Sequence, residues 1–553
     1  MRERQWLEAM TERYFEGVVW RPLLLEALAV AAVAGFLFFH GLGSIGLAGA
    51  DEPRYAQVAR EMLARHDWIT PTLYGHVWLE KPALYYWRAM ASYRTFGVHD
   101  WVARMPSASF AFWMVALIYF HMRRFRHGAQ LDAALITASC AAVIGFSHGA
   151  STDMQLAAPF VMGMLGWYAW FETGKKLWLF DFYFFMALGT LAKGPVAPGL
   201  AAIIIILFCA LRREPWYWLR SIWWPGIALF IAIAAPWYIA VQQRNPQFFR
   251  VFLLEHNLER FGTDKYQHVQ PLWYYLPVLA VALLPWTFIA LPAMWEALRD
   301  AVRQWRDSDR QTSSELMGDA FPEFLVIWAL LPVLFFTISK SKLPGYILPA
   351  IPAVTILTGD YLARLRRRPL PKPVLALHAL LCAALVGVAL LLPYLAAQKS
   401  APPLAAKAYA GIPAALALTF IFVMVSRRGT GFLRVATLAP LLLVLAFLEG
   451  PAAATLDRAY SARRLAEQIR QIDLENAPVA VEGVRRDVEY GLAFYRDHEI
   501  ASYDRGDAPA GLHYVVVPRK YEAKLMGELG ARASYHVGSY PAQRLEIYRV
   551  AAR

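Results

Sequence analysis

The chain has 553 residues, of which 58% are hydrophobic and only 18% are charged, and its formal net charge is +13. Soluble globular proteins carry about 25% charged residues, so this composition excludes an ordinary soluble domain and indicates a membrane protein. The positive charge does not indicate a nucleic-acid partner, because most Lys and Arg residues lie in short loops between apolar runs. That distribution is typical of the cytoplasmic loops of membrane proteins.

The N-terminal segment 1–21 is strongly charged and is followed directly by an apolar run. It is too charged and too long for a cleavable signal peptide, so we expect the first apolar run to remain as a membrane anchor. The three cysteines, Cys140, Cys209 and Cys382, all lie inside apolar runs. We therefore expect neither disulfide bonds nor thiolate-bound metals.

Apolar runs recur along the chain, and each is long enough to cross a hydrocarbon core of about 30 Å as a helix. They predict a polytopic α-helical membrane protein with about 13 transmembrane helices. The predicted spans are 21–42, 106–122, 131–149, 152–171, 178–193, 195–211, 222–241, 272–297, 322–338, 343–364, 371–394, 404–426 and 432–449.

The charge of the connecting loops predicts the orientation of these spans. Every loop on the side of the N-terminus is basic, and these loops are 123–128, 172–176, 211–220, 298–310, 364–372 and 426–429. Short basic loops stay in the cytoplasm. We therefore predict a cytoplasmic N-terminus and, because the number of spans is odd, a C-terminus on the outer side.

Two long segments then lie on the outer side. Residues 43–105 are too polar to span a membrane and rich in Trp and Tyr, so we expect helices that lie in the membrane interface. With the spans they make up a transmembrane domain, residues 1–450.

The second outer segment, residues 451–553, combines helical and strand-like patterns. The pattern of apolar residues predicts a helix at 461–472 and strands at 477–483, 512–518 and 544–550. This pattern predicts a small α/β domain outside the membrane.

Ionisable residues collect in six clusters at the predicted outer face. Charged groups near the hydrocarbon boundary are costly unless they are paired or functional. Carboxylates and cations that converge at one depth indicate a site for a phosphate-bearing ligand. The residues concerned are Asp51, Glu52, Arg54, Glu80, Lys81, Asp153, Lys193, Glu255, His256, Arg260, Lys265, His268, Lys340, Lys342 and Tyr346.

Each cluster also has a simpler interpretation. Asp51 and Glu52 could stabilise the first turn of an interfacial helix. Lys193 and Lys342 could extend their ammonium groups to the membrane surface. His256 could be an ordinary polar residue of the interface. The convergence of six clusters on one face favours a functional site over six separate structural roles.

Six motifs in this order resemble the bacterial branch of the protein O-mannosyltransferase family, which are membrane glycosyltransferases of the GT-C type. They are DEPRYAQVAREM (51–62), EKPALYYW (80–87), ARMPS (103–107), AKGPVAP (192–198), HNLERF (256–261) and SKLPGYILP (341–349). The resemblance covers residues 20–450 and implies a sugar donor linked to a polyprenyl phosphate.

Within this family, the branch that the chain resembles most moves 4-amino-4-deoxy-L-arabinose from undecaprenyl phosphate to lipid A at the periplasmic face of the inner membrane. The resemblance therefore implies an inverting displacement at the anomeric carbon, with Asp51, Glu52 and Asp153 as the catalytic carboxylates. A hydroxyl acceptor would require Asp51 as general base. A lipid A phosphate is already anionic, and Asp51 and Asp153 would then orient the acceptor or hold the sugar's amine.

Departure of the donor phosphate requires preorganised cations, which usually make the largest contribution to such a step. We expect Arg54, Lys81 and Arg260 to fill this role, together with Lys193, Lys342 and Tyr346. Glu80 with His256 could hold a divalent metal ion such as zinc, manganese or magnesium, since a histidine and a carboxylate suit these ions.

Other functions remain open at this stage. A transferase of the same family could use a protein hydroxyl or another envelope glycan as acceptor, and the chemistry of the product would distinguish it. A flippase for a lipid-linked sugar would carry its charges near the midplane of the membrane and show inverted repeats, neither of which is seen here. A receptor or scaffold would not explain carboxylates at the ends of apolar spans.

Overall fold

The computed structural model describes residues 20–252, 270–307, 320–365, 370–396, 404–473 and 477–552. These residues are mostly helical, and they form a large bundle of apolar helices and a five-stranded sheet near the C-terminus. The prediction of a polytopic helical membrane protein is confirmed at this level.

The described helices up to residue 449 fall close to the predicted spans, except for two that lie in the first outer segment. In chain order they are α1 (Trp20–Phe39), α2 (Asp51–Ala64), α3 (Leu84–Phe96), α4 (Asp100–Phe125), α5 (Gln130–Ser139), α6 (Ala141–Ser147), α7 (Asp153–Thr173), α8 (Leu177–Lys193), α9 (Val196–Leu211), α10 (Trp224–Arg244), α11 (Tyr275–Ala282), α12 (Thr287–Asp307), α13 (Phe321–Ile338), α14 (Ile351–Arg364), α15 (Lys372–Ala396), α16 (Leu404–Arg428) and α17 (Leu433–Glu449).

Each of the thirteen predicted spans contains a helix or a bent pair of helices. Among the described residues, five helices are long and apolar enough to cross a membrane, or up to eight if each bent pair counts as one span. The bent pairs include α5 with α6, at 60°, and α11 with α12, at 116°. The number of thirteen spans therefore stays a prediction.

The outer surface of the bundle carries large apolar side chains that no part of the described chain covers. Leu24, Trp113, Leu334 and Leu416 are each at least 60% exposed. Soluble monomers rarely expose contiguous apolar surface on this scale, whereas the hydrocarbon of a membrane would cover it. The interior, by contrast, is closely packed around aromatic rings such as Trp167, whose indole N–H donates to Ser221 Oγ at 2.8 Å.

The first outer segment contains α2, a hairpin of β1 (Thr72–Leu73) and β2 (His76–Val77), and α3. Tyr74 and Gly75 in the turn both have positive φ, 55° and 77°, as a tight two-residue hairpin requires. The Glu61 carboxylate of α2 accepts hydrogen bonds from both turn amides, at 2.7 and 3.1 Å. The hairpin is thereby held against α2, and it was not among the helices predicted for this segment.

The C-terminal part is a mixed sheet with helices on both faces. Its strands lie in the order β4-β3-β5-β7-β6, with β4, β3 and β5 parallel and the other pairs antiparallel. The elements are α18 (Ala453–Tyr460), α19 (Arg463–Ile472), β3 (Val479–Val481), α20 (Arg486–Arg496), β4 (Ala501–Ser502), β5 (His513–Pro518), α21 (Glu522–Leu529), β6 (Ser534–Tyr540) and β7 (Leu545–Val550).

The three strand-like runs predicted in this part form β3, β5 and β7, and the predicted helix is α19. The sequence analysis did not predict β4 or β6. β4 has only two residues, and β6 is a mostly exposed edge strand that contains a glycine. Both lack the alternating apolar pattern from which a strand is predicted. The domain boundary at residue 450 stays a prediction.

Candidate active site

Helix α2 begins with the acidic pair that opens the first motif. Ala50 is the N-cap residue, so Asp51 and Glu52 occupy the first turn, where carboxylates favour the positive end of the helix dipole. Pro53 follows at a position where its missing N–H costs no helical hydrogen bond. The side chains of the two acids have different partners, Arg54 for Asp51 and Arg104 for Glu52.

The Asp51 side chain is 61% exposed and lies 2.5 Å from the Arg54 guanidinium, Oδ1 to Nη2. Arg54 itself is only 14% exposed, and its Nη2 is 3.8 Å from Glu80 Oε2. Asp51, Arg54 and Glu80 thus form one cluster at the start of α2. In it an accessible carboxylate adjoins a largely buried cation.

Aromatic rings surround Arg54. Its Cζ lies 5.2 Å from the ring centroids of both Tyr55 and Trp78. Burial alone would lower the pKa of the guanidinium, but Tyr55, Glu80 and Asp51 outweigh burial and raise that pKa above its ordinary value. The group is therefore a permanent positive charge at the site.

Glu52 is bound in a different way from its neighbour. Its carboxylate accepts hydrogen bonds from Arg104 Nε at 3.0 Å and from Arg104 Nη2 at 2.7 Å. It also accepts hydrogen bonds from the backbone amides of Ala48, at 2.8 Å, and Ala150, at 2.7 Å. The same guanidinium donates to the carbonyl oxygens of Leu42, Ile45 and Gly46. Glu52, predicted as a catalytic carboxylate, thus joins four chain segments and has its acceptor positions occupied by protein donors.

A second cluster lies where α7 begins and α8 ends. Lys193 Nζ is 2.5 Å from Asp153 Oδ1, and both side chains are largely buried. Lys193 Nζ also lies 5.5 Å from the ring centroid of Tyr346. Gly345 approaches Asp153 so closely that a Cβ there would lie 2.7 Å from Asp153 Oδ1. The motifs at 192–198 and 341–349 therefore meet at one carboxylate.

Helix α8 ends at this cluster because Gly194 follows Lys193 with a φ of +79°. A side chain is strained in that conformation, and a Cβ would also lie 2.7 Å from the Phe252 ring. A lysine in the last helical turn complements the negative end of the helix dipole. Local chain geometry thus places the Lys193 ammonium beside Asp153.

Electrostatic effects link the two clusters. Burial raises the pKa of Tyr55, and the charges of Asp51 and Asp153 raise it further, although the two carboxylates belong to different clusters. Lys81 acts electrostatically on Asp153. Residues of the motifs at 51–62 and 80–87 therefore lie within electrostatic range of Asp153.

Lys342 lies apart from these carboxylates. Its side chain is buried, and Nζ donates to the carbonyl oxygens of Ser339, at 2.7 Å, and Gln270, at 3.1 Å. Its ammonium stabilises the turn before Tyr346 in this structure. Its predicted role at the donor phosphate stays a prediction.

The predicted residues Glu255, His256, Arg260, Lys265 and His268 lie outside the described residues. Of the two predicted metal ligands, only Glu80 lies among the described residues, and its carboxylate faces Arg54. Within the described parts of the chain, no group of three His, Cys, Asp or Glu residues could hold a metal ion. The metal site therefore stays a prediction, and the described residues offer no set of ligands for it.

Three residues of the candidate site were not predicted from the sequence. Arg104 lies in the quoted motif 103–107, but nothing in the motif indicates that its partner is Glu52. Trp78 was noted only as part of an aromatic-rich segment. Tyr490 of α20, whose ring centroid is 5.9 Å from Arg54 Cζ, comes from the C-terminal part, and no local signal connects it with α2.

The arrangement combines an exposed carboxylate, a permanently charged arginine and a buried lysine–aspartate pair. Cations of this kind can stabilise the negative charge of a phosphate leaving group. The exposed carboxylate can orient an incoming group or accept a proton from it. This set of groups suits transfer of a group away from a phosphate.

Comparison with curated proteins finds relatives named undecaprenyl phosphate-alpha-4-amino-4-deoxy-L-arabinose arabinosyl transferase. The protein of Pseudomonas paraeruginosa is 30% identical over 342 residues, which cover 60% of this chain and 59% of the relative. The protein of Edwardsiella ictaluri is 31% identical over 321 residues, 57% of this chain and 55% of the relative. The aligned segments thus span less than two thirds of the length of either relative.

Among solved structures, the chain is similar to ArnT from Cupriavidus metallidurans bound to undecaprenyl phosphate. The TM-score is 0.75 at 23% sequence identity, and the alignment covers 94% of this chain and 97% of that chain. At this identity the likeness shows a common fold. It extends through the C-terminal part as well as the helical bundle.

Residues 24–252 match the family described as dolichyl-phosphate-mannose-protein mannosyltransferase. The matched segment contains both carboxylate–cation pairs, Asp51 with Arg54 and Asp153 with Lys193. The resemblance inferred from the motifs is therefore confirmed, in that residues 24–252 match the model of the dolichyl-phosphate-mannose-protein mannosyltransferase family.

Proposed function

We propose that the protein is a membrane glycosyltransferase that moves 4-amino-4-deoxy-L-arabinose from undecaprenyl phosphate to a phosphate of lipid A. The observation that carries the proposal is the pair of carboxylate–cation clusters, Asp51 with Arg54 and Asp153 with Lys193, built from distant motifs. The names of the relatives supply the sugar and the donor.

We place the site and the C-terminal sheet on the periplasmic side of a bacterial inner membrane, with thirteen spans and a cytoplasmic N-terminus. The basic loops on the opposite side support this orientation. The fold of a protein bound to undecaprenyl phosphate, which aligns with 94% of this chain, supports a membrane location for the bundle.

The donor phosphate would bind beside Arg54, with Lys81 and Arg260 as further cations. In an inverting displacement, an oxygen of the acceptor attacks the anomeric carbon and the bond from that carbon to the donor phosphate oxygen breaks. The electron pair of that bond stays on undecaprenyl phosphate. A permanently charged Arg54 stabilises this developing charge without a proton transfer.

Asp51 is exposed enough to meet the acceptor. A lipid A phosphate brings its own negative oxygen, so Asp51 would orient the acceptor or hold the ammonium group of the sugar rather than remove a proton. Asp153, paired with Lys193, would act at the other side of the donor sugar. Glu80 and His256 stay the predicted ligands of a divalent metal ion, and we assign no step of this reaction to that ion.

The direct test is transfer in lipid nanodiscs with purified protein, undecaprenyl phosphate-linked aminoarabinose and lipid A, with the product measured by mass spectrometry. We expect one added aminoarabinose on lipid A. Lys81→Ala should reduce the rate by about 100-fold, the usual loss when one charge-stabilising group is removed. Asp51→Asn should reduce it by about 100-fold as well, because a misplaced reacting group has effects of that size. Lys176→Ala, an exposed lysine in a predicted cytoplasmic loop, is the matched control.

Absence of product from folded wild-type protein would contradict the proposal. A second reaction with a serine- and threonine-containing peptide in place of lipid A tests the alternative acceptor. Sugar on the peptide, but not on lipid A, would retain the family chemistry and assign a hydroxyl acceptor, with Asp51 as the general base.

A further inference from the structure

Helix α20 of the C-terminal part packs against helix α2 of the candidate site. Phe494 is 2% exposed and belongs to the same apolar cluster as Tyr55, Val58 and Met62. Arg60 of α2 donates to the Phe494 carbonyl at 2.8 Å, and its guanidinium lies 4.3 Å from the centroid of the Phe494 ring. This contact holds the two helices in one relative position.

Tyr490 lies four residues before Phe494 and therefore on the same face of α20. Its ring reaches the start of α2, with its centroid 5.9 Å from Arg54 Cζ. The Tyr74 ring of the hairpin stacks on it, with centroids 6.5 Å apart and planes at 16°. Tyr490 is thus supported on one side and faces the arginine on another.

Arg54 therefore has rings from three chain segments around its guanidinium, namely Tyr55, Trp78 and Tyr490. Its Nε is buried and has no hydrogen-bond partner among the described residues. Rings around a planar cation restrict how it can turn, and they attract it without competing for its N–H groups. The N–H groups then remain available toward Asp51 and the space beside it.

We propose that Tyr490 is a positioning residue for the donor phosphate, through which the C-terminal part completes the candidate site. Its ring holds the Arg54 guanidinium in the orientation that binds the phosphate. This inference rests on the proposed function, because it takes Arg54 as the phosphate-binding cation.

The C-terminal part is also attached by contacts that do not involve Tyr490. Tyr495 accepts a hydrogen bond from the Leu47 amide at 2.7 Å, and Arg463 binds Asp100 at 2.7 Å. Phe494 and Arg60 add the contact described above. Removal of the Tyr490 ring should therefore change phosphate binding and leave the packing of the two parts intact.

The test measures binding of undecaprenyl phosphate to the full chain in nanodiscs. Tyr490→Leu should weaken binding by about 3- to 30-fold, the range expected for loss of one cation–π contact. Tyr490→Phe keeps the ring and should bind within about twofold of wild type. Tyr535→Leu, which removes a 62% exposed ring from β6, is the control. The thermal unfolding temperature of each variant shows whether the fold is kept. If Tyr490→Leu unfolds at a lower temperature than wild type, Tyr490→Met is used in its place.

A double-mutant cycle separates positioning from a general structural effect. In an Arg54→Gln background, Tyr490→Leu should cause no further loss of binding, because the ring acts through the arginine. Equal losses in both backgrounds would overturn the inference. Wild-type binding by Tyr490→Leu would overturn it as well, while leaving the proposed function in place. Failure of the wild-type protein to bind undecaprenyl phosphate would overturn both.

Discussion

Asp51 and Glu52 are neighbours in the sequence, but their environments give them different roles. The Asp51 side chain is 61% exposed beside Arg54, whereas the Glu52 side chain is 13% exposed and paired with Arg104. Buried carboxylates are stable only when their charge is compensated. We therefore infer that Glu52 stabilises the fold, and that Asp51 is the carboxylate of the two that is accessible to a substrate.

This difference predicts opposite effects on stability and activity. Arg104→Met should destabilise the protein by about 3–5 kcal/mol, because it leaves the buried Glu52 without its partner. Asp51→Asn should change stability by less than about 1 kcal/mol, because its ion pair is exposed, and should reduce transfer. Thermal unfolding in detergent measures the first effect, with Arg486→Met, at an exposed position, as the control. An unchanged unfolding temperature for Arg104→Met would show that the pair does not hold the fold together.

At the scale of the elements, the site depends on where helices end. Asp153 is the first residue of α7, Lys193 is the last of α8, and Gly345 lies in the turn before α14. Lysine and aspartate meet because these ends converge. Because the chain at residue 345 approaches Asp153 so closely, there is no room for a side chain at that position.

We predict that Gly345→Ala reduces transfer by about 10- to 100-fold, because a displaced reacting group has effects of that size. The new Cβ would lie 2.7 Å from Asp153 Oδ1 and 3.0 Å from the Phe146 ring, so one of them must move. Gly199→Ala in α9 is the matched control, since a Cβ there meets nothing within 4 Å. Equal rates for the two variants would contradict the close approach.

The C-terminal sheet carries its own pH dependence in His513 of β5. The histidine is fully buried, and its ring nitrogens contact Tyr503 Oη and the Gly511 carbonyl, both at 2.7 Å. Burial lowers the pKa of His513 below its ordinary value. The folded form therefore keeps the ring neutral where the unfolded chain binds a proton.

Stability should consequently fall as the pH drops below about 6.5, with a slope of at most about 1.4 kcal/mol per pH unit from this group. His513→Asn should remove this part of the pH dependence. Thermal unfolding of the full chain between pH 7.5 and 5 measures it. The same slope in the variant and the wild type would assign the effect to other groups.

At the scale of the whole molecule, local signals and distant contacts differ in how far they could be predicted. Long apolar runs and alternating strands are local, so the spans and β3, β5 and β7 could be read from the sequence. The Glu52–Arg104 and Arg54–Tyr490 contacts join residues 52 and 436 positions apart, and no local pattern encodes them. The motifs could therefore be recognised in the sequence, whereas the contact partners of their residues could be seen only in the fold.

The orientation proposed for the chain makes a separate prediction. Alkaline phosphatase, which becomes active only outside the cytoplasm, should be active when fused after residue 552 and inactive when fused in the basic loop 123–128. Thirteen spans with the N-terminus inside require this result. Activity of the loop fusion, or inactivity of the C-terminal fusion, would invert the proposed orientation.

The most direct test of the candidate site is an electron cryo-microscopy structure of the protein in nanodiscs with undecaprenyl phosphate. We predict phosphate density within hydrogen-bond distance of Arg54 and close to Asp51, with the Tyr490 ring covering one side of the site. Phosphate density at a place remote from Arg54 and Lys193 would show that the two carboxylate–cation clusters are structural, and would contradict the account.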